Sequence, residues 1–338
     1  MKIVSLDDRQ PKSPAAPAAS DHHVERNPGM ALDMGWIDAI HVNRSAVERR
    51  TDSLGGRRTV KKEWQAAWLL RAITCMDLTS LLGDDTPGRI QRLCAKAKAP
   101  VRQDLLEALG VAHLNITTGA VCVYHEMVPT AVRALEGTNI PVAAVSTGFP
   151  AGLSPLKYRI AEIEESVAAG AKEIDIVISR RHVLTSNWQA LYDEVKQFRE
   201  ACGEAHVKSI IATGELGSAE KIAKASMVCM MAGSDFIKTS TGTEAVNATM
   251  PVSLIMVRQA RDYFERTGWK VGFKPAGGIT QAKQALAYLA MMKEEMGDEW
   301  TRPHLFRFGA SRLLGDIERQ LEHFVTGRYS AANRHPIG

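Results

Sequence analysis

Three ionisable side chains stand inside otherwise apolar segments of this sequence. Asp175 lies in EIDIVIS, Lys238 in DFIKTSTG and Lys274 in VGFKPAGGI. A charged group in such a position costs free energy unless it is paired or has a chemical task. A lysine that is removed from water, or held beside another cation, loses its proton more easily and becomes an amine nucleophile near neutral pH. The pattern therefore predicts an amine nucleophile, with a structural salt bridge to Asp175 as the alternative.

Glycine-rich turns form a second group of candidate residues. Residues 240–242 (STG), 276–278 (AGG) and 309–311 (GAS) each follow a short apolar segment and lead into a helical pattern. Backbone amides at helix starts bind anions, and the loops after the last strands of a parallel barrel frequently bind phosphate. We therefore expect these three turns to form a phosphate site.

Both groups of residues need strands to position them, and eight segments of the sequence have strand character. Their near-continuous apolarity, rather than alternation, is typical of parallel strands that are buried on both faces. They follow one another at roughly the length of one strand-and-helix unit. The segments are CMDLT (75–79), AVCVY (120–124), VAAVS (142–146), IDIVI (174–178), VKSIIA (207–212), FIKT (236–239), VGFK (271–274) and LFRF (305–308).

Helical patterns fill the gaps between these segments. Thr86 and Pro87, for example, predict the start of a helix after the first strand. Alternating strands and helices repeated eight times predict an α/β protein with a single closed (β/α)8 TIM barrel. An open Rossmann sheet is disfavoured, because its GxGxxG turn does not follow the first strand. Residues 101–116 (VRQDLLEALGVAHLNI) predict an extra helical insertion before the second strand.

The first 60 residues differ in composition from the rest of the chain. Residues 11–19 (PKSPAAPAA) are rich in Pro and Ala, and residues 43–62 contain seven basic side chains against two acidic ones. We interpret residues 1–60 as a basic, partly disordered extension, residues 61–328 as the barrel and residues 329–338 as a tail. Because such a composition buries little surface, we expect deletion of residues 1–50 to leave turnover within a few-fold. The alternative is that Met34, Trp36 and Ile37 cap the barrel or an interface.

The overall composition excludes several classes of protein. Hydrophobic residues make up 45% and charged residues 24% of the 338 residues, which is typical of a globular protein and not of a disordered or fibrous one. No apolar run approaches the roughly 18 residues that span a bilayer. The net charge of +4 does not call for a nucleic-acid partner. The five cysteines include no CxxC pair, so we expect no disulfide framework, no zinc site and a reducing, cytoplasmic setting.

Five motifs together resemble the deoxyribose-phosphate aldolase family, over about residues 64–328. They are MDLT (76–79), EIDIVI (173–178), KTSTG (238–242), VNAT (246–249) and GFKPAGG (272–278). The resemblance implies a class I aldolase on a (β/α)8 barrel that needs no metal and no cofactor. It also implies a small-molecule substrate, 2-deoxyribose 5-phosphate, with no nucleic-acid or membrane partner. A homo-oligomer remains open.

The resemblance also implies a role for each matching residue. Lys238 would be the Schiff-base lysine, Lys274 the cation that lowers its pKa, and Asp175 the carboxylate that moves protons through a bound water. Four residues would contact the substrate: Asp77, Thr79, Cys122 and Thr241. An ordinary buried thiol is the alternative for Cys122. Four residues would bind the phosphate: Gly242, Gly277, Gly278 and Ser311.

The phosphate end departs from the family pattern. Many members follow KTSTG with a lysine, where this chain has Thr243, and Ser311 is followed here by Arg312 rather than by a second hydroxyl residue. Arg312 could restore the lost charge through a bidentate contact with the phosphate. We expect it to point outward instead, so that amides and hydroxyls alone hold the phosphate, with weaker affinity.

The implied reaction is reversible cleavage of the sugar phosphate to glyceraldehyde 3-phosphate and acetaldehyde, in the catabolism of deoxyribonucleotides. Two other functions stay open. One is a lysine-imine lyase for a different sugar phosphate on the same fold. The other is a catalytically silent barrel that acts as a binding module, although a silent protein need not retain both lysines.

Overall fold

The computed structural model describes residues 25–335, so segment 11–19 and the last three residues of the predicted tail lie outside the described residues. Eight strands form one parallel sheet: β1 (Met76–Thr79), β2 (Ala120–Tyr124), β3 (Val142–Ser146), β4 (Glu173–Val177), β5 (His206–Ile210), β6 (Phe236–Lys238), β7 (Gly272–Lys274) and β8 (Phe308–Ala310). They pair in the order β7-β6-β5-β4-β3-β2-β1-β8. Parallel bridges from Phe273 to Phe306 and from Ala276 to Gly309 link β7 to the β8 segment. The predicted (β/α)8 barrel is confirmed.

Helices surround this barrel in the described part of the chain. They are α1 (Met34–Asp38), α2 (Arg44–Asp52), α3 (Leu54–Arg57), α4 (Lys62–Thr74), α5 (Pro87–Lys98), α6 (Gln103–Ala108), α7 (Val128–Ala134), α8 (Leu156–Ala168), α9 (Arg180–Leu184), α10 (Trp188–Ala201), α11 (Ala219–Met231), α12 (Met250–Thr267), α13 (Ala282–Met296) and α14 (Arg312–Thr326). None of these helices is long and apolar enough to cross a membrane.

The helix after β1 shows how the sequence determines where an element begins. The side chain of Thr86 accepts a hydrogen bond from the backbone N–H of Arg89, and Pro87 occupies the first helical turn. Proline is tolerated there because its missing N–H has no partner in the helix anyway. The insertion at 101–116 forms α6 and a short 3₁₀ turn, Ala112–Leu114. Both predictions are confirmed.

The eighth strand begins later than the apolar run 305–308 predicts. The backbone N–H groups of Leu305 and Phe306 both donate to Arg302 O, so these residues form a turn. The chain aligns with β1 only at Phe308, whose N–H donates to Cys75 O. Leu305 and Phe306 are buried by packing in the core, which explains why an apolar run alone placed the strand too early.

Residues 25–57 pack against the barrel, so the expectation that the N-terminal extension buries little surface is wrong for this part of it. Trp36 and Ile37 belong to the main hydrophobic core, whereas Met34 is exposed. Trp36 stacks on Tyr263 of α12, with the ring centroids 6.3 Å apart. The side chain of Asn27 donates hydrogen bonds to two backbone carbonyls near the end of α11. The apolar residues that pack here are scattered over short helices, so the basic average composition of the segment did not indicate their burial.

Candidate active site

The barrel brings Asp175, Lys238 and Lys274, which lie on β4, β6 and β7, into direct contact. Lys238 at the end of β6 is in register with Lys274 at the end of β7. Asp175 of β4 is in register with Lys208 of β5. Asp175 Oδ2 accepts hydrogen bonds from Lys238 Nζ at 2.8 Å and from Lys274 Nζ at 2.7 Å. The two lysines therefore share one carboxylate oxygen inside the barrel.

Six of the buried ionisable residues form a closed cycle of alternating charge, which we call the ionic ring. Its members, in order of contact, are Arg307, Asp77, Lys274, Asp175, Lys208 and Glu173. Arg307 Nη1 lies 2.6 Å from Asp77 Oδ1. The second oxygen of Asp77 accepts a hydrogen bond from Lys274 Nζ, and Lys274 reaches Asp175 as described above. This half of the ring joins the residue before β8 to β1, β7 and β4.

The other half of the ring returns from Asp175 to Arg307. Lys208 Nζ donates to Asp175 Oδ1 at 3.0 Å and to Glu173 Oε2 at 2.5 Å. Glu173 Oε1 then accepts a hydrogen bond from Arg307 Nη2 at 2.8 Å, which closes the cycle. Every ring residue is buried, with at most 6% of its surface exposed. Lys238 lies outside the ring and contacts it only at Asp175 Oδ2.

Burial is the largest influence on the charge of Lys238. Removal from water lowers the pKa of this amine, Asp175 raises it, and Lys274 lowers it again. The result is a pKa below the ordinary value for lysine. The Phe149 ring, with its centroid 6.0 Å from Nζ, contributes an apolar wall. The amine of Lys238 is thus held in its neutral, nucleophilic form more readily than a lysine in water.

The other two lysines of the cluster respond in the opposite way. Burial favours their neutral forms, but Asp175 and Asp77 raise the pKa of Lys274, and Asp175 and Glu173 raise that of Lys208. Asp175 is itself buried, yet Lys208, Lys238 and Lys274 hold the pKa of its carboxyl well below the usual range. At neutral pH the cluster therefore contains ionised Asp175 with protonated Lys208 and Lys274.

A cavity of about 830 Å³ opens above this cluster, at the carboxyl ends of the strands. Eight residues that the sequence predicts for the site line it: Thr79, Lys238, Thr241, Gly242, Gly277, Gly278, Ser311 and Arg312. Four other predicted residues are not part of the lining and are buried: Asp77, Cys122, Asp175 and Lys274. Lys238 is therefore the group that connects the charged cluster to the cavity.

Cys122 packs in a small apolar cluster with Ala143 and Val145, beside Tyr124 and Phe149. Burial raises the pKa of its thiol, although Lys274 acts in the opposite direction. A protonated thiol is a poor nucleophile. Cys122 is also buried and does not line the cavity, which favours the buried-thiol alternative over a direct contact with substrate.

Glu244 organises the KTSTG loop, although it is absent from the predicted site. Its carboxylate accepts hydrogen bonds from the backbone N–H groups of Thr241 and Gly242 at 2.9 and 3.0 Å. It also accepts one from the Thr241 hydroxyl at 2.8 Å. The amide of Gly242, which was expected to bind phosphate, therefore already has a partner. The pattern Thr-x-x-Glu, a known capping signal, could have revealed this.

Glycine is required at position 277, in the turn after β7. Gly277 has a φ of +81°, in the left-handed region that favours glycine. A Cβ there would also lie within 2.7 Å of side-chain atoms of Asn247 in the VNAT motif. The turn after β7 thus brings its backbone close to the cavity, as a phosphate-binding turn requires.

Arg312 is exposed at the start of α14, yet its side chain lines the cavity. Within residues 25–335, no hydrogen bond or ion pair joins its guanidinium to another residue. Arg89 also lines the cavity, but Asp84 and Asp85 bind its guanidinium at 2.9 and 3.3 Å. Arg312 therefore provides a positive charge at the cavity that no described carboxylate neutralises.

The sequence contains a signal for the missed members of the ionic ring. Lys208 in VKSIIA, Arg307 in LFRF and Glu173 in EIDIVI are each charged residues within an apolar strand segment. This is the same signal that identifies Lys238 and Lys274. It does not reveal which charges meet, because that depends on the register of strands distant in sequence.

Comparison with known proteins places this geometry in a family. A model described as DeoC/LacD family aldolase matches residues 71–315. The chain belongs to this family. Deoxyribose-phosphate aldolase of Bos taurus is 61% identical over 311 residues, which cover 91% of this chain and 98% of that protein. The Homo sapiens enzyme of the same name is 61% identical over 313 residues, which cover 92% and 98%.

Solved structures of other proteins share the fold. A putative deoxyribose-phosphate aldolase from Coccidioides immitis superimposes with a TM-score of 0.62 at 22% identity, covering 82% of this chain and 98% of that one. A deoxyribose phosphate aldolase from Aeropyrum pernix, described as a unique tetramer, gives a TM-score of 0.57 at 19% identity, covering 85% and 100%. These two similarities establish the barrel architecture only.

Proposed function

We propose that this protein is a class I aldolase that cleaves 2-deoxy-D-ribose 5-phosphate to D-glyceraldehyde 3-phosphate and acetaldehyde, reversibly, in deoxyribonucleotide catabolism. The observation that carries the proposal is Lys238, a buried amine of lowered pKa that lines the cavity and contacts Asp175. Relatives that are 61% identical over almost the whole chain carry the name of this activity.

The first step is attack of the Lys238 amine on the aldehyde carbon C1 of the open-chain sugar. The amine must be neutral to attack, which its lowered pKa favours. Loss of the former carbonyl oxygen as water, with uptake of one proton from solvent, then gives a protonated imine, whose positive charge lies near the Asp175 carboxylate. Because that carboxylate is ionised, it stabilises the cation that forms.

The second step breaks the bond between C2 and C3. The electron pair of that bond moves to the protonated imine and forms an enamine, while the proton of the C3 hydroxyl leaves and C3 becomes the aldehyde of glyceraldehyde 3-phosphate. We assign the proton transfers to Asp175, acting through a water, with the Lys274 ammonium on the same oxygen. Protonation of C2 and hydrolysis of the imine release acetaldehyde and restore Lys238.

Arg312 supplies the charge that binds the 5-phosphate in this proposal, contrary to the outward orientation expected from sequence. Three features support it: its side chain lines the cavity, no described residue pairs with it, and Thr243 occupies the position of the family lysine. The turns at Gly277, Gly278 and Ser311 contribute backbone groups. The amide of Gly242 contributes only if Glu244 releases it.

The setting of the enzyme is also part of the proposal. All five cysteines are buried free thiols, which suits a reducing, cytoplasmic location. We propose that the enzyme requires neither metal nor cofactor, because the imine itself accepts the electron pair. A homo-oligomer remains a prediction.

Product analysis tests the function directly. We expect the purified full chain to release acetaldehyde and glyceraldehyde 3-phosphate in equal amounts from 2-deoxyribose 5-phosphate. Other aldose and ketose phosphates should be cleaved far more slowly. Faster cleavage of a different sugar phosphate would favour the runner-up lyase, and no cleavage of any of them would favour a silent binding barrel.

A further inference from the structure

The ionic ring closes on the side of the barrel opposite the substrate cavity. Glu173 stands at the start of β4, and Arg307 directly precedes β8. Both line a second cavity, of about 680 Å³, together with residues that precede β2 and β3. Neither residue lines the cavity that contains Lys238. The two side chains are therefore reached from the amino-terminal face of the barrel.

The charges of the cluster balance only when Lys238 is neutral. The ring contains three carboxylates (Asp77, Glu173 and Asp175) and three cations (Lys208, Lys274 and Arg307). Each ring carboxylate already accepts hydrogen bonds from two ring cations. A proton on Lys238 adds a seventh charge without a counter-ion of its own, on a side chain that is only 3% exposed, and such a charge is disfavoured.

We infer that Glu173 and Arg307 are positioning residues that fix the net charge of the ionic ring and thereby hold Lys238 in its neutral form. Arg307 bridges Asp77 and Glu173 with one guanidinium, at 2.6 Å and 2.8 Å. Without it, the ring would carry one excess negative charge, which a proton on Lys238 would neutralise. Without the charge of Glu173, the ring would carry one excess positive charge, which opposes that proton. The inference rests on the proposed role of Lys238 as the imine-forming amine.

Several other ionisable groups lie near Lys238, Glu173 and Arg307. Lys238 is surrounded by Asp175 of β4, Lys274 of β7 and Cys122 of β2. Lys208 of β5 and Asp77 of β1 act through the ring. On the opposite side, Cys75 lies near Arg307, and His206 lies near Glu173 and Asp235. Burial lowers the pKa of His206 and raises that of Cys75, so both stay uncharged near neutral pH.

The experiment measures the rate of imine formation with acetaldehyde against pH, by borohydride trapping and mass spectrometry of the full chain. We expect Arg307→Gln to move the midpoint of this profile to higher pH by about 1 unit, and Glu173→Gln to move it to lower pH by a similar amount. The double variant Glu173→Gln/Arg307→Gln should return towards the wild-type midpoint. Arg307→Lys, which keeps the charge, should leave it within about 0.3 unit.

A buried ion pair outside the ring provides the matched control. Arg159 and Glu194 are as buried as Glu173 and Arg307, and their side chains meet at 2.7 Å between α8 and α10. Arg159→Gln should lower thermal stability without moving the midpoint. If Arg307→Gln does not fold, the near-isosteric Glu173→Gln alone still tests the sign of the shift.

Three outcomes separate the possible explanations. Opposite shifts in the two single variants support the inference. No shift, or shifts in the same direction, would overturn it while the wild-type adduct preserves the proposed function. Absence of any adduct in the wild-type protein would instead refute the proposed function, and the inference with it.

Discussion

Lys238 and Lys274 donate hydrogen bonds to the same atom, Oδ2 of Asp175, at 2.8 and 2.7 Å. They differ in what else they contact. Lys274 has a second carboxylate partner, Asp77, and does not line the substrate cavity, whereas Lys238 has a single carboxylate partner and does line it. The number of carboxylate partners decides which lysine keeps its proton. Lys274 is therefore favoured as an ammonium, which supports the proposal that Lys238 is the nucleophile.

Removal of the Lys274 charge should make imine formation require a higher pH. In Lys274→Leu, the ionic ring loses one cation, so a proton on Lys238 becomes more favourable and the pKa of Lys238 rises towards about 10.4. Trapping of the acetaldehyde adduct across a pH series measures the shift. Lys293→Leu, which removes an exposed lysine of α13, is the matched control and should behave as wild type. An unchanged profile for Lys274→Leu would show that Lys274 has only a structural role.

Asp175→Asn should separate imine formation from the carbon chemistry. The amide cannot hold or move a proton as the carboxylate does, so we expect the adduct to form while turnover falls by about 10² to 10⁴. Exchange of the acetaldehyde methyl protons with deuterated water, followed by NMR, reports the enamine step alone. Normal exchange in this variant would contradict the proton-transfer role of Asp175.

The phosphate proposal predicts a selective change in Michaelis constant. Arg312→Ser should raise KM for 2-deoxyribose 5-phosphate about 10-fold, the scale of one lost hydrogen bond to a charged group. Cleavage of unphosphorylated deoxyribose should change little. Thr243→Lys in the Arg312→Ser background should restore most of the lost affinity. Equal KM values for Arg312→Ser and wild type would show that Arg312 does not bind the phosphate and points outward, as expected from sequence.

The packed part of the N-terminal extension should contribute to stability. Ile37 is fully buried in the main core, so Ile37→Ala should lower the free energy of unfolding by about 2–5 kcal/mol. Met34 in the same helix is 41% exposed, and Met34→Ala should have a much smaller effect. Denaturant unfolding measures both. Similar values for the two variants would show that α1 does not contribute to the core as the structure indicates.

Local patterns were sufficient to predict the barrel and to single out two buried lysines, whose chemical roles remain predictions. Lys238 and Lys274 are charged residues in apolar strands, and Thr86 with Pro87 marks a helix start. Such signals lie within a few neighbouring residues, so they can be recognised without any knowledge of the fold. They place Lys238, Gly277 and Ser311 around one cavity because parallel strands end at the same face.

The ionic ring could not be predicted in the same way. Glu173 and Arg307 are 134 positions apart, and they meet only because the barrel closes across β8, β1 and the neighbouring strands. The boundary of β8 was misplaced for a related reason, since Leu305 and Phe306 are buried in the core beside β7, whereas pairing with β1 begins only at Phe308. Trp36 and Ile37 are buried by contacts with helices far along the chain.

The central claim is that Lys238 forms the imine, and a single measurement tests it most directly. The full chain is incubated with acetaldehyde, reduced with borohydride, digested and analysed by mass spectrometry. We predict an ethyl group on Nζ of Lys238, its absence in Lys238→Ala, and a loss of turnover in that variant of roughly four orders of magnitude or more. A stable adduct on Lys208 or Lys274 instead, or near-normal turnover of Lys238→Ala, would contradict the account.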